Sequence, residues 1–314
     1  MAFPLSVQPG AVGSPRNRES TGVTPLERPG SRPPHGAIDG RAMPEGDTVY
    51  LAAKRLDTAL ASTTIHSSEF RLPALATVDL SGHVVREVRP YGKHLLFRLD
   101  NATTLHTHFR MDGTWHLYRP DERWRGGPMH QVRIVLRTAK SVAVGYRLHD
   151  VALVPTAHEG DLIGHLGPDI LDDHFDIDEV SERLDRRGQL TMASALVDQR
   201  IVAGIGNIYR CESLFLAGVD PWRTVADVDA TTRRACLDAA RRLMMGNRDR
   251  ASQSTTGDER RAHFVYGRSG RNCYRCGSRI SAKRSPSVNE DSGSANEQVV
   301  TWCPTCQPAA ARSA

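Results

Sequence analysis

Residues 78 to 146 show a pattern of hydrophobic and polar positions that is typical of β-strands. Apolar side chains recur at every second position within short runs, and polar turns separate the runs. The five clearest runs are residues 83–88, 95–99, 103–109, 132–136 and 142–146. Polar segments at 100–101 and 138–140 supply hairpin turns between neighbouring runs. The pattern therefore predicts an antiparallel β-sandwich or barrel in this half of the chain.

Apolar positions on both sides of this region follow a helical period instead. Before it, a stripe on one helix face consists of Val49, Ala52, Leu56 and Leu60. Asp47 stands just ahead of the stripe, and its side chain is expected to cap the helix. After it, segments with apolar stripes span residues 178–187, 192–201, 208–217 and 231–245. The predicted fold class is α+β, with an N-terminal antiparallel β-sandwich flanked by helices and then a helical domain.

The first 42 residues lack both periods. They are crowded with Pro, Gly, Ser and Arg, so they cannot bury enough apolar surface to offset the entropy lost on ordering. We expect them to be disordered, and translated upstream sequence from a misplaced start is the favoured interpretation. A transit peptide is the alternative. A signal peptide is disfavoured because the run from Met1 to Val7 is short and is broken by Pro4.

The overall composition narrows the class of protein. The 314 residues carry a net charge of +5 with a pI near 9.0, which favours a polyanionic partner. No stretch approaches the roughly 18 consecutive apolar residues that a membrane span needs. Six cysteines are too few for a disulfide scaffold in a chain of this length, and a reducing compartment is expected. Cys211 and Cys236 fall in predicted helices and are interpreted as core residues.

The other four cysteines form two C-x-x-C pairs with 26 residues between them: Cys273, Cys276, Cys303 and Cys306. Two such pairs give a tetrahedral Zn²⁺ ion four thiolate ligands and leave no position open for water. We therefore predict one structural zinc ion, which would stabilise a segment with little core of its own. The spacer is long, and its polar stretch from Ser285 to Gln298 is expected to enlarge a hairpin tip. A redox-active pair is the alternative.

Two further motifs carry chemical meaning. Pro44 follows Met43, so removal of the methionine would leave a free secondary amine beside the carboxylate of Glu45. Within a longer chain the same nitrogen is an unreactive amide. The segment from Val202 to Asn207 places two glycines at a helix start, where exposed N–H groups and the helix dipole can hold a phosphate. A tight connection between two helices explains the same glycines.

Taken in chain order, six motifs resemble one family. They are Pro44-Glu45-Gly46, Tyr91-Gly92-Lys93, His108-Phe109-Arg110-Met111-Asp112-Gly113, Asp198-Gln199 with Gly204-Ile205-Gly206-Asn207, Val265-Tyr266-Gly267-Arg268 and the two cysteine pairs. Over residues 43–307 the chain is similar to the formamidopyrimidine-DNA glycosylase / endonuclease VIII family. Its Pro-Glu-Gly-Asp opening looks closer to the endonuclease VIII branch in its actinobacterial form.

The resemblance implies a bifunctional DNA glycosylase and apurinic/apyrimidinic (AP) lyase of base excision repair that removes oxidised bases, with pyrimidines the expected class. Pro44, as the N-terminal amine, is then the nucleophile that attacks C1′ and forms a Schiff base. An α-amine has a pKa of about 8 against about 10.4 for lysine, so more of it is unprotonated at neutral pH. Glu45 would transfer protons at the sugar ring. Lys93 would contact phosphate and assist the β- and δ-eliminations that cut the strand.

The same resemblance assigns residues that bind DNA. An enzyme that flips a nucleotide out of the helix must fill the gap, and Arg110, Met111 and Asp112 occupy the family's void-filling loop. Met111 is long and pliable enough to act as the wedge, whereas Asp112 is expected to face a base edge or solvent. His108 and Asn207 would contact phosphates, the second from the family's helix-two-turn-helix motif.

Two positions depart from the family. His165 stands where some relatives have arginine, so this contact loses its charge at neutral pH. Gln298 stands five residues before the third cysteine, where relatives carry an arginine that grips the phosphate beside the lesion. A glutamine can donate a hydrogen bond but lacks the charged, bidentate contact. Either Lys283 or Arg284 substitutes for that arginine, or lesion binding and the final elimination are weaker.

These assignments divide the chain into five parts. They are a disordered extension at 1–42, a catalytic β-sandwich domain at 43–165, a helix-two-turn-helix DNA-binding domain at 166–262, a zinc-finger hairpin at 263–308 and a tail at 309–314. The expected protein is a monomer with damaged DNA as its partner, no membrane contact and a cytoplasmic, nucleoid-associated location. Two alternatives are a non-catalytic DNA-binding protein, if residues 1–42 stay attached, and a zinc-ribbon adaptor for protein partners.

Overall fold

The computed structural model describes residues 44–285 and 298–309. Its first element is helix α1, Gly46–Leu60, which buries the predicted apolar stripe. The predicted cap is wrong, because Glu45 is the N-cap residue, with φ −114° and ψ 178°, and Asp47 lies within the first turn. The Asp47 carboxylate instead accepts hydrogen bonds from Tyr209 and Gln253 in the second half of the chain.

Eight strands of the described part form the β-sandwich. They are β1 (Ser67–Phe70), β2 (Val85–Tyr91), β3 (His94–Leu99), β4 (Thr103–His108), β5 (Thr114–Tyr118), β6 (Val132–Arg137), β7 (Val142–Tyr146) and β8 (Asp150–Pro155). One sheet has the order β2-β3-β4-β8 and the other the order β1-β6-β7-β5. All neighbouring strands in both sheets are antiparallel, which confirms the predicted sandwich.

Three of these strands, β1, β5 and β8, are missing from the sequence-based prediction. Each lacks a regular alternation of buried and exposed side chains, and β8 has no fully buried residue. β8 nevertheless pairs with β4 along its whole length, so that His108 stands opposite Asp150. This register brings Asp150 to the loop that follows β4.

The second half of the chain is helical, as predicted. Its helices are α2 (Glu159–Ile163), α3 (Ile177–Asp185), α4 (Met192–Ala195), α5 (Asn207–Ala217) and α6 (Ala230–Asn247). The helix predicted at 192–201 is too long, since α4 ends at Ala195. Beyond it, the side chains of Asp198 and Gln199 accept hydrogen bonds from the backbone N–H groups of Arg200 and Gly204. These bonds compete with helical ones and stabilise a turn.

A two-stranded hairpin completes the fold, with β9 (Ser281–Ser285) antiparallel to β10 (Gln298–Trp302). Ser285 pairs with Gln298, so the base of the predicted hairpin is present. Its expected enlarged tip falls on residues 286–297, which lie outside the described residues, as does the extension at 1–42. β10 packs on α5, where the Asn207 side chain donates a hydrogen bond to the Val299 carbonyl oxygen at 3.0 Å.

Besides a small cluster on β5, β6 and β7, two large hydrophobic cores support the described part of the molecule. One fills the sandwich and the inner face of α1, and the other joins α3, α5, α6 and β10. Between them, residues 44–47, the β2–β3 turn and the turn before α5 come into contact. None of the described helices combines the length and the apolar character needed to cross a membrane.

Candidate functional site

The carboxylate of Glu45 lies at the N-terminus of helix α5. It accepts hydrogen bonds from the backbone N–H groups of Gly206 at 2.8 Å, Ile208 at 2.7 Å and Tyr209 at 3.5 Å. The residue is only 1% exposed. Backbone donors at a helix start stabilise negative charge, and here the anion that they bind belongs to the chain itself.

Glycine is required where residues 44–46 meet the turn before α5. The Gly46 N–H donates to the Gly204 carbonyl oxygen at 2.9 Å. A Cβ on Gly206 would lie 2.5 Å from Cδ of Glu45, and one on Gly46 would lie 3.0 Å from Cα of Gly204. Gly46 and Gly206 therefore allow the segment that carries Pro44 and Glu45 to reach the helix.

Lys93 reaches the same place from the turn between β2 and β3. Gly92 precedes it with φ +56°, and a Cβ there would lie 2.8 Å from the Cβ of Ala203, so only glycine fits. The Gly92 N–H donates to the Asp169 carboxylate at 2.8 Å, and Asp169 also accepts from the Leu171 N–H at 2.9 Å. These backbone contacts position the lysine.

Burial changes the charge state of both groups. It raises the pKa of Glu45 to about 7, opposed by the charge of Lys93 and reinforced by that of Asp47. It lowers the pKa of Lys93 to about 8, opposed by Glu45 and reinforced by Arg210. Near neutral pH Glu45 exists in both protonation states and a fraction of Lys93 is uncharged. Two such groups can give and accept protons at a reacting molecule.

A second buried carboxylate, Asp47, lies close to Glu45. The Tyr209 hydroxyl donates to Asp47 at 2.5 Å, while the Tyr209 N–H donates to Glu45. The Gln253 amide nitrogen also donates to Asp47, at 2.8 and 2.9 Å. Burial and the neighbouring Asp47 raise the pKa of Tyr209 far above its usual range, so its hydroxyl remains a donor. Tyr209 therefore ties both carboxylates to α5.

Two of the predicted DNA-binding residues, Asn207 and Gln298, are linked by a residue that sequence reasoning missed. Arg210 is fully buried, and its guanidinium donates to Oδ1 of Asn207 and, at 3.2 Å, to Oε1 of Gln298. A guanidinium has only donors, so the oxygen of the Gln298 amide must be the atom that faces it. An arginine three residues after the Gly-Ile-Gly-Asn motif was the one signal in the sequence.

Other predicted DNA-binding residues lie at the end of β4. His108 ends the strand, and its Nδ1 lies 3.2 Å from the carboxylate of Asp150. Arg110 donates two hydrogen bonds of 2.5 Å to the same carboxylate. Met111 follows with 47% of its surface exposed. Asp150 is the second residue that sequence reasoning missed, because the strand that carries it has no clear pattern.

Histidines connect this group to Lys93. The His94 ring stacks on that of His108 with centroids 4.4 Å apart, and its Nδ1 lies 2.8 Å from Nε2 of His106. Burial, followed by the charges of His108, His106 and His165, lowers the pKa of His94 well below its usual range. His94 is therefore neutral at pH 7. His165 is exposed and close enough to act on it electrostatically.

The four cysteines of the C-x-x-C pairs converge beside the hairpin. Their Sγ atoms all lie within 4.8 Å of one another, with Cys273 3.9 Å from Cys306 and Cys276 3.4 Å from Cys303. A tetrahedral ion with bonds of about 2.3 Å needs sulfur atoms about 3.8 Å apart. The four thiols therefore fit a metal ion. The two remaining cysteines are buried in α5 and α6, as predicted: Cys211 and Cys236.

Comparisons with known proteins bear on the whole arrangement. Residues 43–151 match the family model described as formamidopyrimidine-DNA glycosylase N-terminal domain, and residues 166–256 match the formamidopyrimidine-DNA glycosylase H2TH domain. A "Probable endonuclease 8 2" of Streptomyces coelicolor is 44% identical over 265 residues, which are 84% of this chain and 94% of that protein. A "DNA-(apurinic or apyrimidinic site) lyase Nei2" of Mycolicibacterium smegmatis is 38% identical over 269 residues, 85% of this chain and all of that protein.

A solved structure has the same fold. The formamidopyrimidine-DNA glycosylase of Lactococcus lactis, bound to DNA with an AP site, superposes with a TM-score of 0.70 at 22% identity, over 84% of this chain and all of that one. The sandwich, the helical domain and the cysteine hairpin thus form one known architecture, and the chain belongs to the formamidopyrimidine-DNA glycosylase family. Both relatives named above are actinobacterial proteins of the endonuclease 8 branch, which confirms the predicted branch.

Proposed function

We propose that this chain is a bifunctional DNA glycosylase and AP lyase of base excision repair in which the nitrogen of Pro44 is the nucleophile. The enzyme class follows from the family and from relatives named as endonuclease 8 and AP lyase. The observation that carries the residue assignment is the buried Glu45, which directly follows Pro44, is bound by three N–H groups and interacts with Lys93. Borohydride trapping of the covalent intermediate tests it.

The first chemical step in this proposal replaces the damaged base by an amine. The free secondary amine of Pro44 attacks C1′, the base leaves with the electrons of the glycosidic bond, and the proton that the amine loses passes to the departing base. Glu45 in its protonated form gives a proton to the ring oxygen as the sugar ring opens, and the nitrogen lone pair completes an iminium ion. A carboxyl group with a pKa of about 7 suits this role, since both of its forms are available at neutral pH.

The second step cuts the strand. The iminium makes the C2′ proton acidic, and loss of that proton expels the phosphate at C3′. A second elimination expels the phosphate at C5′. Lys93 is the proposed assistant, because it lies beside Glu45 and burial leaves part of it uncharged near pH 8.

A free amine requires the removal of every residue before Pro44. Two observations support this start: the match to the family model begins at Met43, and the relative from M. smegmatis is matched over its whole length by 85% of this chain. The proposed partner is DNA that carries oxidised pyrimidines, and the nucleoid is the proposed place of action. His108 and His165 supply the proposed phosphate contacts on one side, and Asn207 and Gln298 supply them on the other. Arg110 and Met111 lie in the proposed void-filling loop.

The metal ion that fits the four cysteines is proposed to be Zn²⁺ in a structural role, since thiolates are its preferred ligands and no ligand position stays open. It would hold β9 and β10 together, and β10 carries Gln298 and the carbonyl group that binds Asn207.

Removal of this ion is expected to weaken DNA binding and lower the unfolding temperature. Cys276→Ala should reduce the zinc content from about one ion per chain to a small fraction, because three thiolates bind the ion less tightly than four. Elemental analysis, thermal unfolding and binding to an abasic duplex measure the effects. The matched control is Cys236→Ala, which empties a buried position outside the cluster and should keep the zinc. Equal zinc content in the two variants would contradict the assignment.

The glutamine at position 298 is expected to limit strand cleavage. Gln298→Arg should cleave an abasic duplex about three- to tenfold faster, because a charge-assisted phosphate contact is roughly twice as strong as a neutral one. The same change should lower the unfolding temperature, since Arg210 would lose the acceptor Oε1 and face a second positive charge. Gln298→Met is the shape-matched control and should cleave more slowly than wild type. Equal cleavage rates for all three proteins would refute a phosphate contact at this position.

A further inference from the structure

The loop between β4 and β5 is a closed turn with Met111 near its tip. Phe109 anchors one end in the core, and the Gly113 N–H donates to the Phe109 carbonyl oxygen at 2.8 Å. A Cβ on Gly113 would lie 2.6 Å from that oxygen, so the turn closes only with glycine. Arg110 has φ +50°, a left-handed conformation that is unfavourable for a residue with a side chain. Other contacts must hold this backbone in place.

The first tether of the loop is the pair of Arg110 and Asp150. Nε and Nη2 of Arg110 each donate to the Asp150 carboxylate at 2.5 Å, the two-pronged geometry that gives strong and directional binding. The same carboxylate lies against Nδ1 of His108, its partner in the β4–β8 register. Although burial opposes ionisation, hydrogen bonds from His108 and Arg110 hold the pKa of Asp150 well below its usual range. Asp150 is therefore an anion throughout the neutral range.

The second tether holds the other side of the loop. Oδ1 of Asp112 lies 3.1 Å from Nε2 of His149, and the carbonyl oxygen of Asp112 accepts from Nε of Arg147 at 2.8 Å. Arg147 is itself fixed, since its Nη1 donates to the Gln131 side chain at 2.7 Å. Both tethers thus end on residues 147–150, which are the connection from β7 to β8 and the first residue of β8.

Met111 stands between the two tethered residues and is one of the few large apolar side chains that the described part of the chain exposes. We propose that Arg110 and Asp112 stay outside the DNA stack and, with Asp150, clamp the loop so that Met111 alone is the wedge. The inference rests on the proposed function and adds Asp150 as a positioning residue for nucleotide eversion. A wedge that is fixed in advance loses less conformational freedom when it enters the duplex. If Arg110 instead had to enter the stack, it would first have to break its contact with Asp150, and that contact would slow insertion of the loop into the DNA.

The test compares DNA that has a gap to fill with DNA that has none. Asp150→Asn keeps the shape of the side chain and removes its charge. On a duplex with a tetrahydrofuran abasic analogue opposite 2-aminopurine, this variant should slow the fluorescence change that reports wedge insertion. Cleavage of an abasic duplex should fall about tenfold, and cleavage of the same abasic strand without its complement should fall much less. Arg110→Gln should slow insertion and duplex cleavage to the same extent as Asp150→Asn. The variant that carries both substitutions should cleave the duplex no more slowly than either single variant, because both remove the same contact. Asp150→Glu keeps the charge and should restore part of the cleavage rate.

Glu69→Gln is the matched control. Glu69 also binds two basic side chains, Arg71 and Arg137, and has similar exposure at 39% against 30% for Asp150, but it lies on the other sheet. The Glu69→Gln substitution should leave the ratio of duplex to single-strand cleavage unchanged. An equal loss on both DNA forms in Asp150→Asn, or faster cleavage of the duplex, would overturn the proposal. Failure of the proposed function is distinguishable, because the wild-type protein would then cleave neither DNA.

Discussion

Protein that begins at Pro44 is expected to be trapped on abasic DNA by borohydride, whereas the full 314-residue chain is not. Only a free amine can form the iminium ion that borohydride reduces, and in the full chain the Pro44 nitrogen is a tertiary amide without a usable lone pair. The expected difference is the complete presence or absence of a cross-linked band. Denaturing electrophoresis of the reduced mixture measures it, with the N-terminus of each protein verified by mass spectrometry.

Two further proteins sharpen this comparison. One retains Met43 as its first residue, which adds a single amino acid and a primary amine at the wrong place. The other begins at Pro44 but carries an acetyl group on the proline nitrogen, which keeps the chain length and removes the lone pair. Both should remain untrapped. Trapping of the acetylated protein at the wild-type level would show that another amine is the nucleophile.

Substitution of the neighbouring carboxylate is expected to separate the two activities. Glu45→Gln should slow excision of an oxidised pyrimidine by about 10²- to 10⁴-fold, the usual contribution of a general acid. Cleavage of a DNA that already contains an abasic site should fall less, because its sugar opens without the loss of a base. Single-turnover assays on the two DNA forms measure the effect.

The pH dependence gives a second measure of the same residue. Because burial raises the pKa of Glu45 to about 7, its protonated form is lost as the pH rises through that value, and base excision should decline on the alkaline side. This decline should vanish in Glu45→Gln. Glu212→Gln is the matched control. Glu212 lies on α5, is as buried as Glu45 and also accepts hydrogen bonds from backbone N–H groups, but these belong to residues 264–266. An alkaline decline that persists unchanged in Glu45→Gln would exclude Glu45 as its source.

The local elements of this fold could be predicted from the sequence, because each depends on side chains close together in the chain. The stripe of α1 and the runs of β3, β6 and β7 are visible as apolar periods, and the structure has helices and strands there. β8 was missed since its side chains are all partly exposed or exposed, and only its pairing with β4 makes it a strand. The cap at Asp47 failed because a contact with Tyr209, 162 residues away, outweighs the local preference.

The sequence names candidate residues for the site, but it does not show how these residues are arranged in space. Family motifs named Pro44, Glu45 and Lys93, and nothing in their spacing shows that Glu45 occupies the N-terminus of α5. That contact joins residues more than 160 positions apart and exists only when both cores have formed. Arg210 and Asp150 were missed for the same reason, since their partners Gln298 and Arg110 lie 88 and 40 positions away.

Lys93 is the rival nucleophile to Pro44, because a half-buried lysine with a pKa of about 8 is also a capable amine. Peptide mapping of the borohydride-reduced adduct by tandem mass spectrometry decides between them. With protein that begins at Pro44, we expect the deoxyribose remnant on the proline nitrogen of the tryptic peptide that spans residues 44–54. A remnant on the side chain of Lys93, with an unmodified N-terminal peptide, would contradict this expectation.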